Sequence, residues 1–203
     1  MAEISMTTEE HSDAAGVEDG CLIHPACAVM HTYTGREEEL IRFVRIYVDA
    51  DLFSDVFVPK RVILKRQRGE WRKRTEALFP GYVFIVTADT DALFLALKRV
   101  PRMSRLLESD PYQFYTLEAE EEEFVRRIGA ERGDHTFELS TVRIGRDIPY
   151  HEGDPVRVVS GDLAGFEGSI VGFDLHRRKA MVKTTLFGGT VIHVGIELLD
   201  QVE

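Results

Sequence analysis

The stretch LFPGYVFIV, residues 78–86, constrains the fold of this chain more than any other feature. Its apolar second half, Tyr82–Val86, has the length and composition of a buried strand, and Pro80–Gly81 breaks the chain directly before it. Because successive strand residues point to opposite faces, Tyr82 and Phe84 share one face and the aliphatic residues that alternate with them share the other. The aliphatic face suits the helices of a domain, whereas the aromatic face is either core or a surface that a partner covers.

Segments with helical and strand-like patterns surround this run. The apolar run ACAVMHTY at 26–33 predicts a first strand, and a helix follows it with a capping box formed by Thr34 and Glu37. A short strand, a β-hairpin that turns near Gly69, two further helices and another strand complete the pattern. These segments predict an α+β domain over residues 23–131, with helices flanking an antiparallel sheet.

The pattern changes at residue 148, where short strand-like pieces recur with glycines between them. Glycine provides the positive φ angles that tight turns and bulges need. Several short strands within residues 148–203 predict a small β-barrel. The segment between the two regions, residues 132–147, lacks a strong apolar period and is predicted to be a flexible linker with weak strand character at Ser140–Ile144.

Charge is unevenly distributed along the chain. The first 20 residues contain six acidic residues and no Lys or Arg, and residues 1–22 are predicted to be a disordered acidic tail. The formal net charge of −10 opposes indiscriminate nucleic-acid binding but allows local basic patches. We find no apolar run long enough to span a membrane, no secretory signal and only two cysteines, so we expect a cytoplasmic protein without a membrane partner.

The sequence carries no recognisable catalytic or cofactor motif. A phosphate-binding loop, a nucleophile elbow and a dinucleotide-binding glycine pattern are all missing, so we expect a protein that is not an enzyme and binds no cofactor. Cys21, His24, Cys27 and His31 have ligand types that suit zinc. Because two of them lie in the predicted first strand, we expect no metal site and a buried thiol instead.

Several motifs together resemble one known family. HTYTGREEEL, FVPK, LFPGYVFI and LKRVPRMSRLL occur in that order and resemble the N-terminal (NGN-type) domain of NusG-type transcription elongation factors. GDPVRVVSGDLAGFEGSIVGFD, followed by RRKAMVKTTLFG, resembles the C-terminal KOW domain of the same family, an SH3-like β-barrel. The resemblance covers residues 26–203. One departure is that the family usually begins its first strand with a Trp–Tyr pair, where this chain has Ala26–Cys27–Ala28.

Within the family, the chain resembles the specialised LoaP subgroup of antiterminators. The segments that carry this resemblance are VPKRVILKRQRG, DLHRRKA and HVGIELL. The family resemblance implies that the N-terminal domain binds the clamp helices of RNA polymerase and suppresses pausing. It also implies that the barrel contacts a second partner, which is the ribosomal protein NusE, the termination factor Rho, or RNA. We expect the chain itself to be a monomer.

Four aromatic residues carry the polymerase contact that the resemblance implies: Tyr33, Phe79, Tyr82 and Phe84. Aromatic side chains are effective anchors because each buries a large area at a small cost in rotamer freedom. The alternative is that all four are core residues, and for Phe84 the two interpretations have equal weight. In the barrel, the resemblance implies that protein partners meet the loop residues Leu163, Phe166, Leu186 and Phe187.

Basic residues cluster in the hairpin and in one barrel turn. Residues 60–74 contain eight bases and one acid, and the turn at HRRKA is basic within an otherwise acidic barrel. Predicted nucleic-acid contacts are Lys65, Arg66, Arg68, Trp71 and Arg72 in the hairpin, and His176, Arg177, Arg178, Lys179 and Lys183 in the barrel. Cations would bind phosphates of a leader RNA hairpin or of upstream DNA, and Trp71 would stack on a base. The alternative is an exposed hairpin whose charges prevent edge-to-edge aggregation, together with an ordinary exposed turn.

Three functions therefore remain open. The leading hypothesis is a bacterial processive antiterminator that binds polymerase and leader RNA. The second is a general NusG that acts through NusE and Rho. The third is a ribosome-associated KOW module, which the net charge of −10 opposes because such proteins are strongly basic.

Overall fold

A computed structural model of the protein describes residues 25–99, 114–130, 132–144 and 156–199. The predicted acidic tail, residues 1–22, lies outside these ranges. The described helices are α1 (Glu37–Tyr47), α2 (Thr90–Lys98) and α3 (Ala119–Arg127). The strands of the N-terminal part are β1 (Ala26–His31), β2 (Asp55–Phe57), β3 (Lys60–Gln67), β4 (Glu70–Ala77), β5 (Tyr82–Thr87) and β6 (Phe114–Thr116). The remaining strands are β7 (Thr136–Phe137), β8 (Ser140–Ile144), β9 (Val156–Ser160), β10 (Ile170–Asp174), β11 (Lys179–Lys183) and β12 (Val191–Leu198).

The apolar run behind Pro80–Gly81 is a central strand of the N-terminal sheet, as predicted. Strand β5 lies between β2 and β1 in the order β2-β5-β1-β6 and pairs antiparallel with both neighbours. Val83 and Ile85 are fully buried on the face that packs against α1 and α2, where they meet Leu40, Val44, Leu93 and Leu97. The predicted separation of an aliphatic, helix-covered face is therefore confirmed.

The aromatic face of β5 lies in a second core. Phe84 packs there with Phe57 and Phe79, under apolar residues of α3. The same cluster continues through the barrel, where its buried members include Val194 and Ile196 of β12. The two sheet-containing regions thus share one continuous apolar core.

The predicted capping box at the start of α1 is wrong. The N-cap of this helix is Arg36, which makes no side-chain capping hydrogen bond. The carboxylate of Glu37 is instead buried and accepts a hydrogen bond from the backbone N–H of Gly81 at 2.7 Å. Gly81 has φ +87, and an added Cβ would lie 2.8 Å from the carbonyl oxygen of Thr32. The Glu37 carboxylate therefore stabilises the Pro80–Gly81 bend. This non-local hydrogen bond forms in place of the predicted capping box.

The predicted basic hairpin is confirmed as β3 and β4. The strands pair in one uninterrupted register from Lys60 opposite Ala77 to Gln67 opposite Glu70. Arg68 and Gly69 form the turn, with φ values of 53° and 88°. Positive φ at both central residues is the geometry that matches the right-handed twist of the flanking strands.

The C-terminal strands form a curled sheet in the order β10-β11-β12-β8-β9. Strand β8 comes from the segment 132–147 that was predicted to be a flexible linker, and its weak strand character at Ser140–Ile144 is confirmed. That segment also contains β7, which pairs parallel with β3, while β8 pairs parallel with β12. The linker prediction is therefore wrong for residues 136–144, because backbone pairing with strands of both regions orders them.

The architecture is the predicted α+β sheet with flanking helices followed by a strand-rich, curled C-terminal sheet. Within the described ranges, none of the helices has the length and apolar composition that a membrane span requires.

Candidate functional site

The four predicted polymerase-binding aromatics lie in three different environments. Tyr33, which follows β1, is 77% exposed, and Tyr82 at the start of β5 is half-buried. Phe79 is 4% exposed and Phe84 is fully buried. Tyr33 and part of Tyr82 are therefore exposed at the surface, whereas Phe84 is part of the core, as its alternative interpretation predicts.

A loop of the barrel covers the centre of this aromatic face. The ring of Phe187 lies 4.4 Å from the ring of Tyr82, 5.4 Å from that of Phe79 and 5.8 Å from that of Tyr115. Phe187 has φ 53, which is uncommon for a bulky residue. Its backbone N–H donates a hydrogen bond to the carboxylate of Glu121 in α3 at 3.2 Å. The loop that presents Phe187 is therefore anchored on the N-terminal domain.

The other predicted partner-loop residues are also occupied. Leu163 and Leu186 are fully buried. Phe166 is 4% exposed and packs against Phe124 of α3, with the two ring centroids 5.1 Å apart. The guanidinium of Arg127 lies 4.4 Å from the centre of the Phe166 ring, a favourable cation–π geometry. The loops predicted to meet a protein partner thus contact this chain's own N-terminal domain through Phe166 and Phe187.

Polar contacts hold the two regions together beside the aromatic ones. Arg132 donates hydrogen bonds to both carboxylate oxygens of Asp162, at 2.8 and 3.1 Å. These bonds raise the pKa of the Arg132 guanidinium. Asp162 also accepts the backbone N–H of Glu138 at 2.9 Å. The Asp162 carboxylate of the barrel therefore binds two residues, Arg132 and Glu138, that follow α3 in the chain.

A second polar contact joins the hairpin to strand β12. Arg61 of β3 donates to the carbonyl oxygen of His193 at 2.6 Å and to the carboxylate of Glu76 at 2.8 Å. Burial alone would raise the pKa of Glu76, but hydrogen bonds from Lys65 and Arg61 outweigh it and lower that pKa below its ordinary value. The approach of the strands is close at Gly195, where an added Cβ would lie 2.5 Å from the carbonyl oxygen of Val62.

The two predicted basic segments, which are about a hundred residues apart in sequence, line one cavity between the hairpin and the barrel. Its volume is about 470 Å³. The lining residues are Leu64, Lys65, Arg66 and Trp71 from the hairpin, and His176, Arg177 and Lys179 from the barrel turn. We name this space the basic cleft. Its lining contains no carboxylate, so its charge is positive.

Trp71 forms a bridge across the basic cleft. The guanidinium of Arg178, in the barrel turn, lies 5.1 Å from the centre of the Trp71 ring. Burial lowers the pKa of His193, and the cations of Lys179 and Arg61 lower it further. The arrangement therefore suits an anionic ligand that also presents a flat ring.

Three predicted nucleic-acid contacts do not line this cleft. Arg68 lies in the hairpin turn itself, and Arg72 forms an exposed ion pair with Glu70 at 3.2 Å. Lys183 lies at the other end of β11 from Lys179. The structure therefore groups seven of the ten predicted nucleic-acid-binding residues at the basic cleft, if the bridging Arg178 is included.

Of the four residues considered for zinc, the structure describes Cys27 and His31. Cys27 is 7% exposed, and burial raises the pKa of its thiol to about 12. Cys21 and His24 lie outside the described residues. Among the residues that are described, no group of three or more His, Cys, Asp or Glu side chains is placed to hold a metal ion.

Sequence reasoning missed the residues that join the two regions, including Arg61, Tyr115 and Arg132. None of them belongs to a local sequence motif, because each contacts its partner residues only in the folded structure. The eight basic residues of the hairpin indicated a charged surface. They did not indicate that the guanidinium of Arg61 contacts a carboxylate and a barrel carbonyl.

Comparisons with known proteins give a family match over the N-terminal domain. Residues 28–126 match the family model described as "Transcription termination factor nusG". The chain is 25% identical over 164 residues to the transcription termination/antitermination protein NusG of Haemophilus influenzae, which covers 79% of this chain and 84% of that protein. It is 28% identical over 182 residues to the protein of the same name from Helicobacter pylori strain J99, which covers 86% of this chain and 95% of that protein. A chain from the solved structure "Domain interaction in Thermotoga maritima NusG" has a TM-score of 0.49 at 24% identity, covering 85% of this chain and 94% of that chain.

Proposed function

We propose that the chain is a member of the NusG family and a non-enzymatic bacterial transcription elongation factor, because residues 28–126 match the NusG family model. Its N-terminal domain binds the clamp helices of RNA polymerase and promotes processive antitermination. Its barrel contacts leader RNA. The observation that carries the polymerase assignment is the aromatic face at the Pro80–Gly81 bend, because the family match includes the strand and the bend that build it.

The accessible part of that face consists of Tyr33 and the outer edge of Tyr82. Phe187 of the barrel covers the rest and makes the kind of aromatic contact that a partner would make. Full engagement of polymerase therefore requires the barrel loop to leave the face. The observed polymerase affinity then equals the intrinsic affinity multiplied by the fraction of molecules in which the face is open.

Replacing Tyr33 and Tyr82 by alanine tests the polymerase assignment. We expect the double variant to lose binding to bacterial RNA polymerase in a pull-down while its circular dichroism stays that of the wild type. These positions are preferable to Phe79, which packs on Phe84 and also supports the core. The matched control is Tyr47→Ala, because Tyr47 is 58% exposed on α1, which packs on the opposite face of the sheet. Unchanged binding by a folded double variant contradicts the assignment.

The RNA assignment rests on the basic turn between β10 and β11. Arg177→Ala combined with Arg178→Ala removes two of its cations, and each lost phosphate contact lowers the slope of log affinity against log salt by about 0.7–0.9. We expect leader-hairpin affinity to fall by about one to two decades. Arg143→Ala combined with Arg157→Ala is the matched control, because these barrel arginines are exposed and lie opposite each other on β8 and β9. Wild-type protein that binds no structured RNA better than a scrambled sequence refutes the assignment.

A general NusG that acts through NusE and Rho is the second candidate. The full-length similarity to proteins named NusG favours it, since these alignments cover 84% and 95% of the relatives. In that case the barrel loops with Phe166 and Phe187 meet a protein partner once they leave the N-terminal domain. The RNA titration separates the candidates, because a LoaP-like protein binds a specific hairpin and a general NusG does not.

A further inference from the structure

The basic cleft joins two charged segments that belong to different structural regions. Lys65, Arg66 and Trp71 lie on the hairpin of the N-terminal domain, and Arg177 and Lys179 lie on the barrel turn. We infer that the cleft is a single nucleic-acid site, in which the barrel turn and the hairpin bind consecutive phosphates of one strand and Trp71 stacks on a base. This inference rests on the proposed function and deepens it, because it adds the N-terminal hairpin to the site through which the chain holds RNA.

The residues that line the basic cleft indicate which kind of ligand it binds. The lining contains two lysines, two arginines and no carboxylate, which favours an anionic ligand. Two acids outside the lining contact its cations: Glu76 accepts a hydrogen bond from Lys65 at 3.1 Å, and Asp174 accepts the backbone N–H of Arg177 at 2.9 Å. A volume of about 470 Å³ accommodates a nucleotide-sized group rather than a whole helix.

Trp71 gives the site its second recognition element. It is half-buried at the cleft wall, and Arg178 holds its ring from the barrel side at 5.1 Å. Aromatic rings that line a cationic groove bind single strands by stacking, and arginine contributes through cation–π contact. The cleft therefore prefers an unpaired nucleotide, such as one in a loop or a flank of a hairpin, to continuous duplex.

Binding of a strand in the basic cleft affects how the barrel and the N-terminal domain are arranged. The hairpin and the turn face each other only when the barrel is docked, as Arg61 to His193 and Gly195 against β3 show. A strand in the cleft binds the docked arrangement more tightly, whereas polymerase requires Phe187 to leave. The barrel turn keeps its own RNA contacts after undocking, but the contribution of the hairpin is lost.

The test uses the full chain and a labelled oligouridine RNA of about twelve nucleotides, a length within the range that single-strand sites cover. Its affinity is measured by fluorescence anisotropy at several salt concentrations, with oligothymidine DNA of the same length as the second arm. We expect one strand per chain, a loss of about tenfold for Trp71→Ala and a similar loss for Lys65→Ala combined with Arg66→Ala. Trp71→Phe keeps an aromatic face at this position and should retain most of the affinity.

Each outcome decides between the alternatives. If only the Arg177→Ala and Arg178→Ala variant loses affinity, the composite site is wrong and the RNA assignment of the barrel stands. If the wild type binds neither the oligomers nor a structured leader RNA, both are wrong. Equal affinity for the RNA and DNA arms supports a site that reads phosphate and base without the 2′-hydroxyl, and preference for RNA supports a ribose contact. The control Arg143→Ala with Arg157→Ala should bind like the wild type.

Discussion

Removing the ring of Phe187 should release the barrel from the aromatic face. The substitution Phe187→Ala deletes the contacts with Tyr82 at 4.4 Å, Phe79 at 5.4 Å and Tyr115 at 5.8 Å. It keeps the backbone N–H that donates to Glu121, and it keeps a Cβ at the residue whose φ is 53. The backbone conformation is thus equally strained in both proteins, and the comparison isolates the ring.

The magnitude follows from the burial of that ring. Truncating a fully buried Phe to Ala costs about 3–5 kcal/mol, and Phe187 is only half-buried. A loss of about 2 kcal/mol of docking free energy is therefore expected, which also agrees with about 0.5–1.5 kcal/mol for each aromatic pair. At about 1.4 kcal/mol per decade, this loss shifts the docking equilibrium about thirtyfold toward the open arrangement.

The assay is a titration of labelled protein with bacterial RNA polymerase. If most wild-type molecules are docked, the variant should bind polymerase up to about thirtyfold more tightly, because the open fraction limits the observed affinity. Val171→Ala is the matched control: Val171 is 56% exposed on β10 of the same barrel, and its loss should change nothing. A folded Phe187→Ala protein that binds polymerase no better than the wild type would refute the reasoning that the barrel competes for this face.

Three further predictions concern buried or paired groups. Glu37→Ala leaves the N–H of Gly81 unpaired and should lower the free energy of unfolding by about 1–3 kcal/mol in urea titrations, whereas exposed Glu38→Ala should have little effect. Glu76→Gln should destabilise the protein at neutral pH; since the folded-state pKa of Glu76 is depressed from 4.5, the difference from the wild type should vanish as the pH falls through that pKa, as acid-range melting curves will show. The Cys27 thiol, whose pKa burial raises to about 12, should be alkylated at mildly alkaline pH only after unfolding, measured by peptide mass spectrometry, and rapid labelling of the native protein would contradict its burial.

The sequence specifies the local elements of this fold well. The alternation in Tyr82–Val86 predicts both faces of β5, and Gly69 marks the hairpin turn, because each pattern is set by neighbouring residues. The capping-box prediction is wrong because the hydrogen-bond partner of Glu37 is not a sequence neighbour. Glu37 satisfies a backbone N–H that is 44 positions away in sequence, and no local pattern encodes that distance.

The candidate site was predictable in its parts but not in its assembly. The two basic segments are visible as charge clusters, yet nothing in either segment predicts that they line one cleft. The same holds for Phe187: the family resemblance implies a protein partner for it, and its ring packs on Tyr82 and Phe79 of this chain. Strand β7 was not predicted and β8 was predicted only as weak strand character, because their order comes from backbone pairing with β3 and β12.

Amide hydrogen exchange of the chain, free and bound to RNA polymerase, tests the central claim most directly. The N–H of Phe187 is held by Glu121 only while the barrel is docked, and Tyr33 lies exposed at the edge of the aromatic face. Binding should slow exchange in the segment around Tyr33 and Tyr82 and should speed exchange at Phe187. Slower exchange at Phe187 with no change around Tyr33 and Tyr82 would contradict the claim that polymerase binds this face and displaces the barrel.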